Sequence, residues 1–391
     1  MKRVGILGGG QLGLLLAEAV NQLDAEARVY DPDPGCPAAR RLANVTTADW
    51  FDARELSRFA STCDVLTYEF ENVPVAPLHA LGGAVPIVPG IGILETTQDR
   101  VREKEFLRKE GLPVVRFAAV REGDDPHAAA EEIGFPLIAK TARGGYDGKG
   151  QHRIESHAEL AELGMPRPWV FEEPIDIAAE LSCIVARAAN GSEFAFPLFE
   201  NEHREHVLDL TLVPAGVEPA VAEQVRRVAL ASARAMGVVG LLTVEFFVGR
   251  SRSGEGGVRS GGFEVFVNEF APRPHNSGHV TRNACSLSQY DALARVLLGI
   301  PLVPPEPLAP GAFVMGNLLG DVWLAQGASG LDLDLSAWAR HPRVIEVYLY
   351  GKREVRARRK MGHFVVHAAD AEEAIAAARA FRDDLAATRR R

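Results

Sequence analysis

The segment VNEFAPRPHNSGH, residues 267–279, places a carboxylate inside an apolar strand pattern. A second carboxylate, Glu245, interrupts the apolar strand pattern TVEFFV at residues 243–248. A buried carboxylate is costly unless it is paired or binds a cation. If the two strands are neighbours, Glu245 and Glu269 form an oxygen-ligand site for Mg²⁺, which takes substrate phosphates as further ligands. For Glu245 considered alone, a strand glutamate that faces water is also a reasonable interpretation.

A dense run of polar side chains surrounds Glu269 in the same segment. They are Asn268, Arg273, His275, Asn276 and His279. A glutamate that simply faces water does not account for so many charged and hydrogen-bonding groups in so short a segment. Convergent polar groups beside a metal site are typical of an anionic substrate site, and we adopt that interpretation.

A glycine-rich loop, TARGGYDGKGQ at residues 141–151, follows the apolar strand pattern FPLIAK. Its glycines let backbone N–H groups approach phosphate oxygens closely, and Lys140 and Lys149 supply positive charge. The spacing differs from that of a P-loop, which requires G-x-x-x-x-G-K-[ST]. For the loop alone, a surface hairpin with an incidental lysine is an equally good interpretation.

The segment FEEPIDIAAELS, residues 171–182, follows this loop and contains three glutamates. Its backbone could present a donor and an acceptor to an adenine, with Glu180 reaching the ribose hydroxyls. An ordinary edge strand and turn would produce the same pattern.

The amino-terminal segment GILGGGQLG, residues 5–13, has the G-x-G-x-x-G spacing of Gly8, Gly10 and Gly13. It lies between an apolar run and a helical pattern, as a dinucleotide-binding turn does. Further strand patterns at residues 28–31 and 65–68 alternate with helical ones, which predicts a parallel sheet. The spacing does not identify the ligand of the turn.

The bulk composition excludes several classes of protein. The chain of 391 residues has a net charge of −9 and a pI near 5.7, which argues against a general nucleic-acid or membrane-surface binder. Its four cysteines have no zinc-like spacing, so we expect reduced thiols in a cytoplasmic protein. We also expect neither a signal peptide nor a membrane-spanning segment.

Three domains are predicted from helix stop signals and Pro-rich stretches along the chain. A helical stretch at residues 96–117 has Gly111, Leu112 and Pro113 as its stop signal, and a Pro-rich stretch at 301–310 marks a boundary. The low-complexity segment 249–262 is expected to be a long flexible hairpin loop. The predicted domains are residues 1–95, 96–302 and 303–391.

In this order, the motifs resemble those of the ATP-grasp superfamily, and most closely its 5-(carboxyamino)imidazole ribonucleotide synthase family. The resemblance runs from residue 5 to residue 363, and NEFAPRPHNSGH and GGYDGKGQ are its most specific parts. It implies an α/β protein: an ATP-grasp fold with an N-terminal Rossmann-like (pre-ATP-grasp) domain and a small C-terminal α/β domain. Ala271 stands where many ATP-grasp ligases have asparagine, and segment 249–262 is longer than the usual hairpin.

The resemblance implies an ATP site between two lobes, with phosphates held by Arg100 and Lys140 and the ribose by Glu180. Glu245 and Glu269 would bind Mg²⁺, as two ions. The residues implied in ATP binding are Arg100, Lys140, Gly145, Tyr146, Asp147, Gly148, Lys149, Gly150, Gln151, Glu172, Glu173, Pro174, Ile175, Glu180, His203, Asn268 and Glu269.

The resemblance also implies the reaction. The enzymes of this family use ATP and bicarbonate to carboxylate the amine of 5-aminoimidazole ribonucleotide in purine biosynthesis. The candidates for handling bicarbonate and carboxyphosphate are Arg273, His275, Asn276 and Lys149. The candidates for binding the ribonucleotide are Gly10, Gln11, Leu12, Glu69, Lys352 and Arg359.

The basic run KREVRARRKMGH, residues 352–363, has a simpler interpretation as a solvated cationic edge. Its concentration of cations in an acidic protein favours a phosphate site, where the resemblance assigns Lys352 and Arg359. Arg356, Arg358 and Lys360 are then exposed neighbours. Like other isolated histidines, His363 is expected to be structural.

Three alternatives remain open from the sequence. Another ATP-grasp ligase, such as a formate-dependent phosphoribosylglycinamide transformylase, would share most of these motifs. A nicotinamide-dependent oxidoreductase would use the glycine turn together with Asp31, and a noncatalytic nucleotide sensor would bind ATP without turnover. We expect small-molecule substrates, no nucleic-acid or membrane partner, and a homodimer.

Overall fold

The chain begins with a parallel sheet in the computed structural model, which describes residues 1–145, 149–164 and 166–388. Its strands are β1 (Arg3–Leu7), β2 (Glu26–Tyr30), β3 (Val45–Thr46) and β4 (Val65–Tyr68), in the order β3-β2-β1-β4. The helices of this part are α1 (Gln11–Gln22), α2 (Ala53–Ser61), α3 (Val75–Ala80) and α4 (Ile91–Thr97), with a 3-10 turn at Ala38–Arg40. All its strand pairs are parallel, so the predicted parallel sheet is confirmed.

An antiparallel sheet follows, and we call residues 117–172 the small lobe. Its strands are β5 (Phe117–Val120), β6 (Leu137–Thr141), β7 (Gln151–Ile154) and β8 (Trp169–Glu172), in the order β5-β8-β6-β7. Its helices are α6 (Pro126–Ile133) and α7 (His157–Ala161). The preceding helix α5 (Arg100–Lys109) begins where the Asp99 carboxylate accepts from the N–H groups of Val101 and Arg102 at 3.1 and 3.3 Å. It ends just before Gly111, as the stop signal predicts.

The remaining strands form one large sheet. They are β9 (Ile175–Arg187), β10 (Glu193–Ala195), β11 (Phe199–Arg204), β12 (Val207–Val213), β13 (Gly240–Ser251), β14 (Val258–Ser260), β15 (Phe263–Ala271), β16 (Ala312–Leu319), β17 (Val344–Leu349) and β18 (Lys360–Ala368). Their order is β14-β15-β13-β9-β11-β12-β16-β18-β17, and β10 pairs with β9. The helices around this sheet are α8 (Pro219–Ala235), α9 (Thr281–Ala284), α10 (Gln289–Leu298), α11 (Gly320–Gln326) and α12 (Ala371–Ala387), with 3-10 turns at Ser277–Val280 and Ser336–Arg340.

Helix α8 illustrates how the large sheet is covered. Its buried residues include Val221, Val225, Val228 and Ser232, which recur at the spacing of one helical face. This face packs on β9 and β13. Each fully buried valine contributes about 1.5–3 kcal/mol relative to an exposed one.

The large sheet continues across the predicted boundary between the second and third domains. Residues 299–311, which contain the Pro-rich stretch, connect α10 to β16, and β16 pairs with β12. The predicted division after residue 95 falls inside α4. The three domain limits therefore stay predictions. Among the described residues, no helix is both long and apolar enough to cross a membrane.

The hairpin predicted at residues 249–262 is confirmed, but the segment is not a loop throughout, and its flexibility stays a prediction. Strand β13 extends to Ser251, and β14 pairs with β15 inside the same segment, which we call the hairpin extension. Its start is fixed because the N–H and hydroxyl of Ser251 donate to the Glu264 carboxylate at 2.9 and 2.8 Å. Glycine and serine here build a defined turn, because their side chains are small or bond to the backbone nearby.

Candidate active site

Two glutamates face each other in the large sheet. Glu245 on β13 and Glu269 on β15 are directly paired in the antiparallel register, and Asn268 is the extra residue of the adjacent bulge. Directly paired residues have Cβ atoms about 4.5–5.5 Å apart and point to the same face. The structure therefore brings together the two carboxylates that the strand patterns single out.

A histidine and an arginine lie against this glutamate pair. His275 Nε2 is 2.8 Å from Glu245 Oε1, and Arg100 Nη2 is 3.6 Å from Glu269 Oε2. Burial raises the pKa of Glu245, but the hydrogen bond and charge of His275 outweigh it and lower that pKa to about 2. Burial, and then the charge of Glu245, raise the pKa of Glu269. Two carboxylates this close repel each other, so the pair favours a bound cation.

Arg273 and Asn276 lie beside the pair but differ in their partners. Arg273 is already paired with Glu71, since its Nε is 3.0 Å from Glu71 Oε2 and its Nη2 contacts the same oxygen. Asn276 is buried, and neither its Oδ1 nor its Nδ2 has a hydrogen-bond partner in the described parts of the chain. A buried unpartnered polar group costs about 1–3 kcal/mol, which a bound ligand would recover.

The interpretation of His279 as part of this polar cluster is wrong. His279 is fully buried, its ring nitrogens lie 2.8 and 3.1 Å from the hydroxyls of Tyr290 and Tyr350, and it stacks on His363. Burial holds the pKa of His279 well below its usual range and lowers that of His363 to about 3. Both rings are therefore neutral, as expected for structural histidines such as His363.

A buried ion-pair triad joins α5 to the small lobe. The Nζ atoms of Lys140 and Lys104 lie 2.7 and 3.1 Å from the two carboxylate oxygens of Glu172. Burial raises the pKa of Glu172, but the charges of the two lysines prevail and lower it to about 2. One negative charge between two lysines leaves net positive charge, which attracts phosphate.

The glycine-rich loop connects β6 to β7, whose register pairs Lys140 with Gln151. Arg100 Nη2 donates to the carbonyl of Gly145 at 3.2 Å, and the Gly150 carbonyl accepts from Thr141 N at 2.8 Å. Lys149 is exposed near the end of the loop. The candidates Tyr146, Asp147 and Gly148 lie outside the described residues.

The connection from the small lobe to the large sheet carries the candidate adenine residues. Glu172 ends β8, Ile175 begins β9, and Glu173 and Pro174 join them. The Glu173 side chain is turned away from solvent, because its carboxylate accepts from the N–H and hydroxyl of Ser253 at 2.6 and 2.7 Å. Of these residues, only backbone groups and the partly buried Pro174 and Ile175 are suited to contact an adenine.

Glu180 and His203 lie on neighbouring strands of the large sheet, β9 and β11. His203 Nδ1 is 3.1 Å from Glu180 Oε2. Burial lowers the pKa of His203, but the hydrogen bond and charge of Glu180 outweigh it and raise that pKa. The structure thus places His203 next to Glu180, as expected.

The amino-terminal glycine turn is built around two carboxylates of the protein itself. Gly10 N donates to Glu69 Oε1 at 2.9 Å, and Gly9 N donates to Asp31 Oδ2 at 2.6 Å. A Cβ atom on Gly8 would lie 2.6 Å from Glu69 Oε1, so glycine is required there. These N–H groups are the ones that a dinucleotide-binding turn offers to a pyrophosphate, and here they face two acidic side chains. The arrangement disfavours the oxidoreductase hypothesis.

The other ribonucleotide candidates converge near Glu69. Lys352 Nζ donates to the Lys360 carbonyl at 2.8 Å and lies 5.4 Å from the centre of the Tyr350 ring. Burial and then the charge of Arg359 lower the pKa of Lys352 to about 8, and the charge of Glu69 opposes this shift. Gln11 is partly exposed at the start of α1, but the Leu12 side chain is buried in the core, so only its backbone can face a ligand.

Comparison with known proteins covers almost the whole chain. Residues 1–98 match a ribonucleotide synthetase pre-ATP-grasp domain, residues 105–290 an ATP-grasp domain, and residues 313–377 a phosphoribosylaminoimidazole carboxylase C-terminal domain. The N5-carboxyaminoimidazole ribonucleotide synthase of Staphylococcus aureus (strain COL) is 37% identical over 368 residues, which cover 93% of this chain and 92% of that protein. The chain belongs to the N5-carboxyaminoimidazole ribonucleotide synthase family.

Solved structures of N5-carboxyaminoimidazole ribonucleotide synthases have the same fold. The S. aureus protein complexed with ADP has a TM-score of 0.86 at 35% identity, covering 97% of each chain. The Aspergillus clavatus protein in complex with ADP and 5-aminoimidazole ribonucleotide has a TM-score of 0.83 at 28% identity, covering 98% of each chain. This chain also matches a bifunctional purine synthesis protein of Dictyostelium discoideum at 36% identity, but spans only 36% of its length.

Membership of the N5-carboxyaminoimidazole ribonucleotide synthase family confirms the predicted architecture. The ATP-grasp fold, the amino-terminal pre-ATP-grasp domain and the carboxy-terminal α/β domain are all present. The predicted identity of the family is confirmed as well.

Two buried residues of α5 in this chain were not predicted from the sequence. Lys104 completes the triad with Glu172, and Glu103 accepts from Phe270 N at 2.7 Å, next to Glu269. Burial, and then the charge of Glu269, raise the pKa of Glu103 to about 8. The sequence does indicate that Lys104 is buried, because its spacing places it on the same helical face as the buried Val101 and Leu107. A lysine in an apolar stripe indicates a buried partner.

Proposed function

We propose that this chain is an ATP-dependent carbon–nitrogen ligase that carboxylates the amine of 5-aminoimidazole ribonucleotide with bicarbonate. The products are 5-carboxyaminoimidazole ribonucleotide, ADP and phosphate, in de novo purine biosynthesis. The observation that carries the proposal is the facing pair Glu245 and Glu269 with His275 and Arg100 against it. Family membership supports it, because relatives have been crystallised with ADP and with the aminoimidazole ribonucleotide.

ATP binds between the small lobe and the large sheet in this proposal. Lys140, held by Glu172, and Arg100, held near Glu269, contact the phosphates. The loop 145–151 closes over them. Residues 172–175 line the adenine, Glu180 binds the ribose hydroxyls, and His203 supports Glu180 through their ion pair.

Glu245 and Glu269, with Asn268 alongside, would hold Mg²⁺, as two ions. No three His, Cys, Asp or Glu side chains in the described parts of the chain enclose a metal by themselves. Two carboxylates are nevertheless the donor set that suits Mg²⁺, which keeps several waters and binds substrate phosphates. When bound, Mg²⁺ supplies positive charge to the transferring phosphoryl group.

Catalysis by the side chains is mainly positioning and charge stabilisation. Bicarbonate is a poor electrophile, so its oxygen attacks the γ-phosphoryl group and gives carboxyphosphate and ADP. Arg273, His275, Asn276 and Lys149 hold bicarbonate and then carboxyphosphate, which places positive charge and donors where negative charge develops. The amine nitrogen then bonds to the activated carbon, phosphate leaves, and the amine gives up one proton. Closure of the loop excludes water from the labile intermediate.

The ribonucleotide binds at the amino-terminal turn in this proposal. Lys352 and Arg359 hold its 5′-phosphate, while Glu69 with Gly10, Gln11 and Leu12 forms the wall beside the ring and ribose. The charges of Arg359 and Glu69 both act on the pKa of Lys352, which supports this grouping.

The test of the proposed function is the substrate dependence of ADP release. We expect release to require both 5-aminoimidazole ribonucleotide and bicarbonate. Turnover driven instead by formate and glycinamide ribonucleotide would establish the transformylase alternative. Nucleotide binding with no turnover on any amine would establish the sensor, and tight binding of NAD(H) or NADP(H) at the glycine turn would establish the oxidoreductase.

We also propose a cytoplasmic homodimer whose partners are small-molecule substrates. The acidic net charge and the scattered free cysteines support this location. Sedimentation of the purified chain tests the oligomeric state, with a single species of monomer mass as the contradicting result.

Replacement of Lys352 by alanine is expected to raise the ribonucleotide KM roughly 10- to 100-fold, because a hydrogen bond to a charged group is worth about 1.5–3 kcal/mol. The KM for ATP and the kcat should change little. Steady-state kinetics with each substrate varied in turn measures both, with the exposed Arg353→Ala of the same basic run as the control. An effect confined to the ATP KM would contradict the phosphate assignment.

The pH dependence of ribonucleotide capture follows from the lowered pKa of Lys352. Below about pH 8 its ammonium is charged and attracts the phosphate, and as pH rises through about 8 the charge is lost. The kcat/KM for the ribonucleotide should therefore fall above that pH. In Lys352→Arg the guanidinium stays charged, so the fall should move to higher pH. A wild-type profile that stays flat from pH 7 to roughly 9.5 would contradict the assignment.

A further inference from the structure

Two chain segments connect the small lobe to the rest of the molecule, and they lie side by side. Residues 113–116 enter the lobe before β5, and Glu173 with Pro174 leaves it after β8. Glu173 N donates to the Arg116 carbonyl at 3.0 Å, which joins the two segments. Because the chain enters and leaves the lobe at one place, these segments are suited to act as a hinge, and we call them the hinge segments.

The hairpin extension, residues 249–262, contacts both hinge segments. Ser253 donates its N–H and its hydroxyl to the buried carboxylate of Glu173, and the Gly256 carbonyl accepts from Val114 N at 3.0 Å. A Cβ atom on Gly256 would lie 2.2 Å from the Val114 carbonyl oxygen, so only glycine allows this approach. The contact is therefore built into the sequence of the extension.

The hairpin extension also reaches the small lobe itself. Arg252 Nη1 donates to the Phe135 carbonyl at 2.8 Å, and Nη2 donates to the Ile133 carbonyl at 2.8 Å. Ile133 is the last residue of α6 and Phe135 lies just after it, at the end of the helix where the dipole and unpaired backbone acceptors favour a cation. The same guanidinium is 3.8 Å from Glu173 Oε1, so Arg252 links the lobe to the hinge.

We propose that Arg252 and Ser253 are positioning residues for ATP, acting as a brace between the hinge and the small lobe. The inference rests on the proposed function, in which residues 172–175 line the adenine. Glu173 lies within this segment, so fixing its side chain fixes the backbone that faces the adenine. Bracing increases the fraction of molecules whose small lobe is in the arrangement that binds nucleotide. When that fraction decreases, the apparent affinity for ATP decreases with it.

If Arg252 and Ser253 brace the lobe, their replacement should change the KM for ATP and leave kcat nearly unchanged. In Arg252→Ala and in Ser253→Ala, the KM for ATP and the Kd for ADP should rise roughly tenfold. The kcat at saturating ATP and the ribonucleotide KM should remain within about twofold of wild type, because bound nucleotide restores the closed arrangement. Ser253→Thr keeps the hydroxyl and should recover the wild-type affinity.

Arg259→Ala is the matched control, because Arg259 is an exposed arginine of the same hairpin extension, on β14. It removes the same charge from the same element and should leave the ATP KM unchanged. Equal ATP KM values in Arg252→Ala, Arg259→Ala and wild type would overturn the inference. A fall in kcat with an unchanged ATP KM would overturn it as well.

Hydrogen exchange of the ligand-free protein separates this inference from the proposed function. Amide exchange in residues 133–141 and 172–175 should be faster in Arg252→Ala than in Arg259→Ala, whatever the substrate proves to be. Unchanged exchange in these residues would overturn the brace even if the chain carboxylates the ribonucleotide. Faster exchange with weaker ADP binding would support the brace even if the acceptor amine were a different one.

Discussion

Glu269→Gln is expected to release ADP roughly 100-fold more slowly than wild type at saturating substrates. The substitution keeps the shape of the side chain but removes one of the two charges that would hold Mg²⁺ against the phosphates. Glu245 keeps its bond to His275, so the remaining site is too weakly charged to replace the lost carboxylate. Steady-state ADP release at saturating ATP, bicarbonate and ribonucleotide measures the effect.

The fold of Glu269→Gln should be intact, because the substitution removes a charge that the neighbouring Glu245 repels. Its melting temperature should therefore equal or exceed that of wild type. Glu202→Gln is the control, since Glu202 is an exposed strand glutamate on β11 that pairs with Arg379. Near-normal turnover of Glu269→Gln would refute its role as a metal ligand.

Glu172→Gln is expected to destabilise the protein by about 3–5 kcal/mol, because it leaves Lys104 and Lys140 buried without a counter-charge. The denaturant midpoint of the first unfolding transition measures the loss. In the double variant with Lys104→Met only one buried lysine remains, so part of the lost stability should return. A loss equal to that of an exposed ion pair, about 1 kcal/mol or less, would contradict the triad as a buried structural unit.

The same triad has a pH signature of defined sign. Because the pKa of Glu172 is about 2 in the folded state, below its unfolded value, its contribution is complete above the unfolded pKa of roughly 4.3. It is lost as the pH falls from there towards 2. Glu172→Gln should therefore show a weaker dependence of stability on acid in that range.

Local patterns predicted those parts of the site that lie within one element or one loop. An isolated carboxylate in an apolar strand pattern is visible in the sequence, and both Glu245 and Glu269 are found on the paired strands that this pattern indicates. The periodicity of short apolar runs likewise predicted β1, β2 and β4. In these cases the residue and the element that positions it are neighbours along the chain.

Contacts between distant elements could not be predicted in this way. Arg273 contacts Glu71, which lies 202 residues away along the chain, and Glu172 pairs with Lys104 on a helix outside the small lobe. Nothing in the local spacing of either partner encodes the other, because the distance is set by how the sheets and helices pack. The contacts of the hairpin extension could not be predicted for the same reason, since its partners Glu173, Val114 and the end of α6 lie far from it along the chain.

The glycine spacing predicted the conformation of the amino-terminal turn but not the group that the turn binds. Its spacing predicted a tight strand-to-helix turn, and Gly8, Gly10 and Gly13 do form one. The occupant is Glu69, at the end of β4, whose carboxylate only the folded chain brings to the turn. Gly8 and Gly10 are required because the Glu69 side chain approaches them, and Gly13 because the Gly8 carbonyl oxygen does.

Strands β12 and β16 are paired, so one hydrogen-bonded sheet contains both the strands that carry Glu245 and Glu269 and the strands that flank Lys352. The proposed phosphate-binding residue Lys352 and the proposed metal ligands are thus held at one distance from each other by the same sheet. The small lobe has a sheet of its own, β5-β8-β6-β7, and lies outside this plane of strands. In the proposed reaction, the distance that an activated carboxyl group must cross is therefore set by the hydrogen-bonded register of this one sheet, and not by the position of the small lobe.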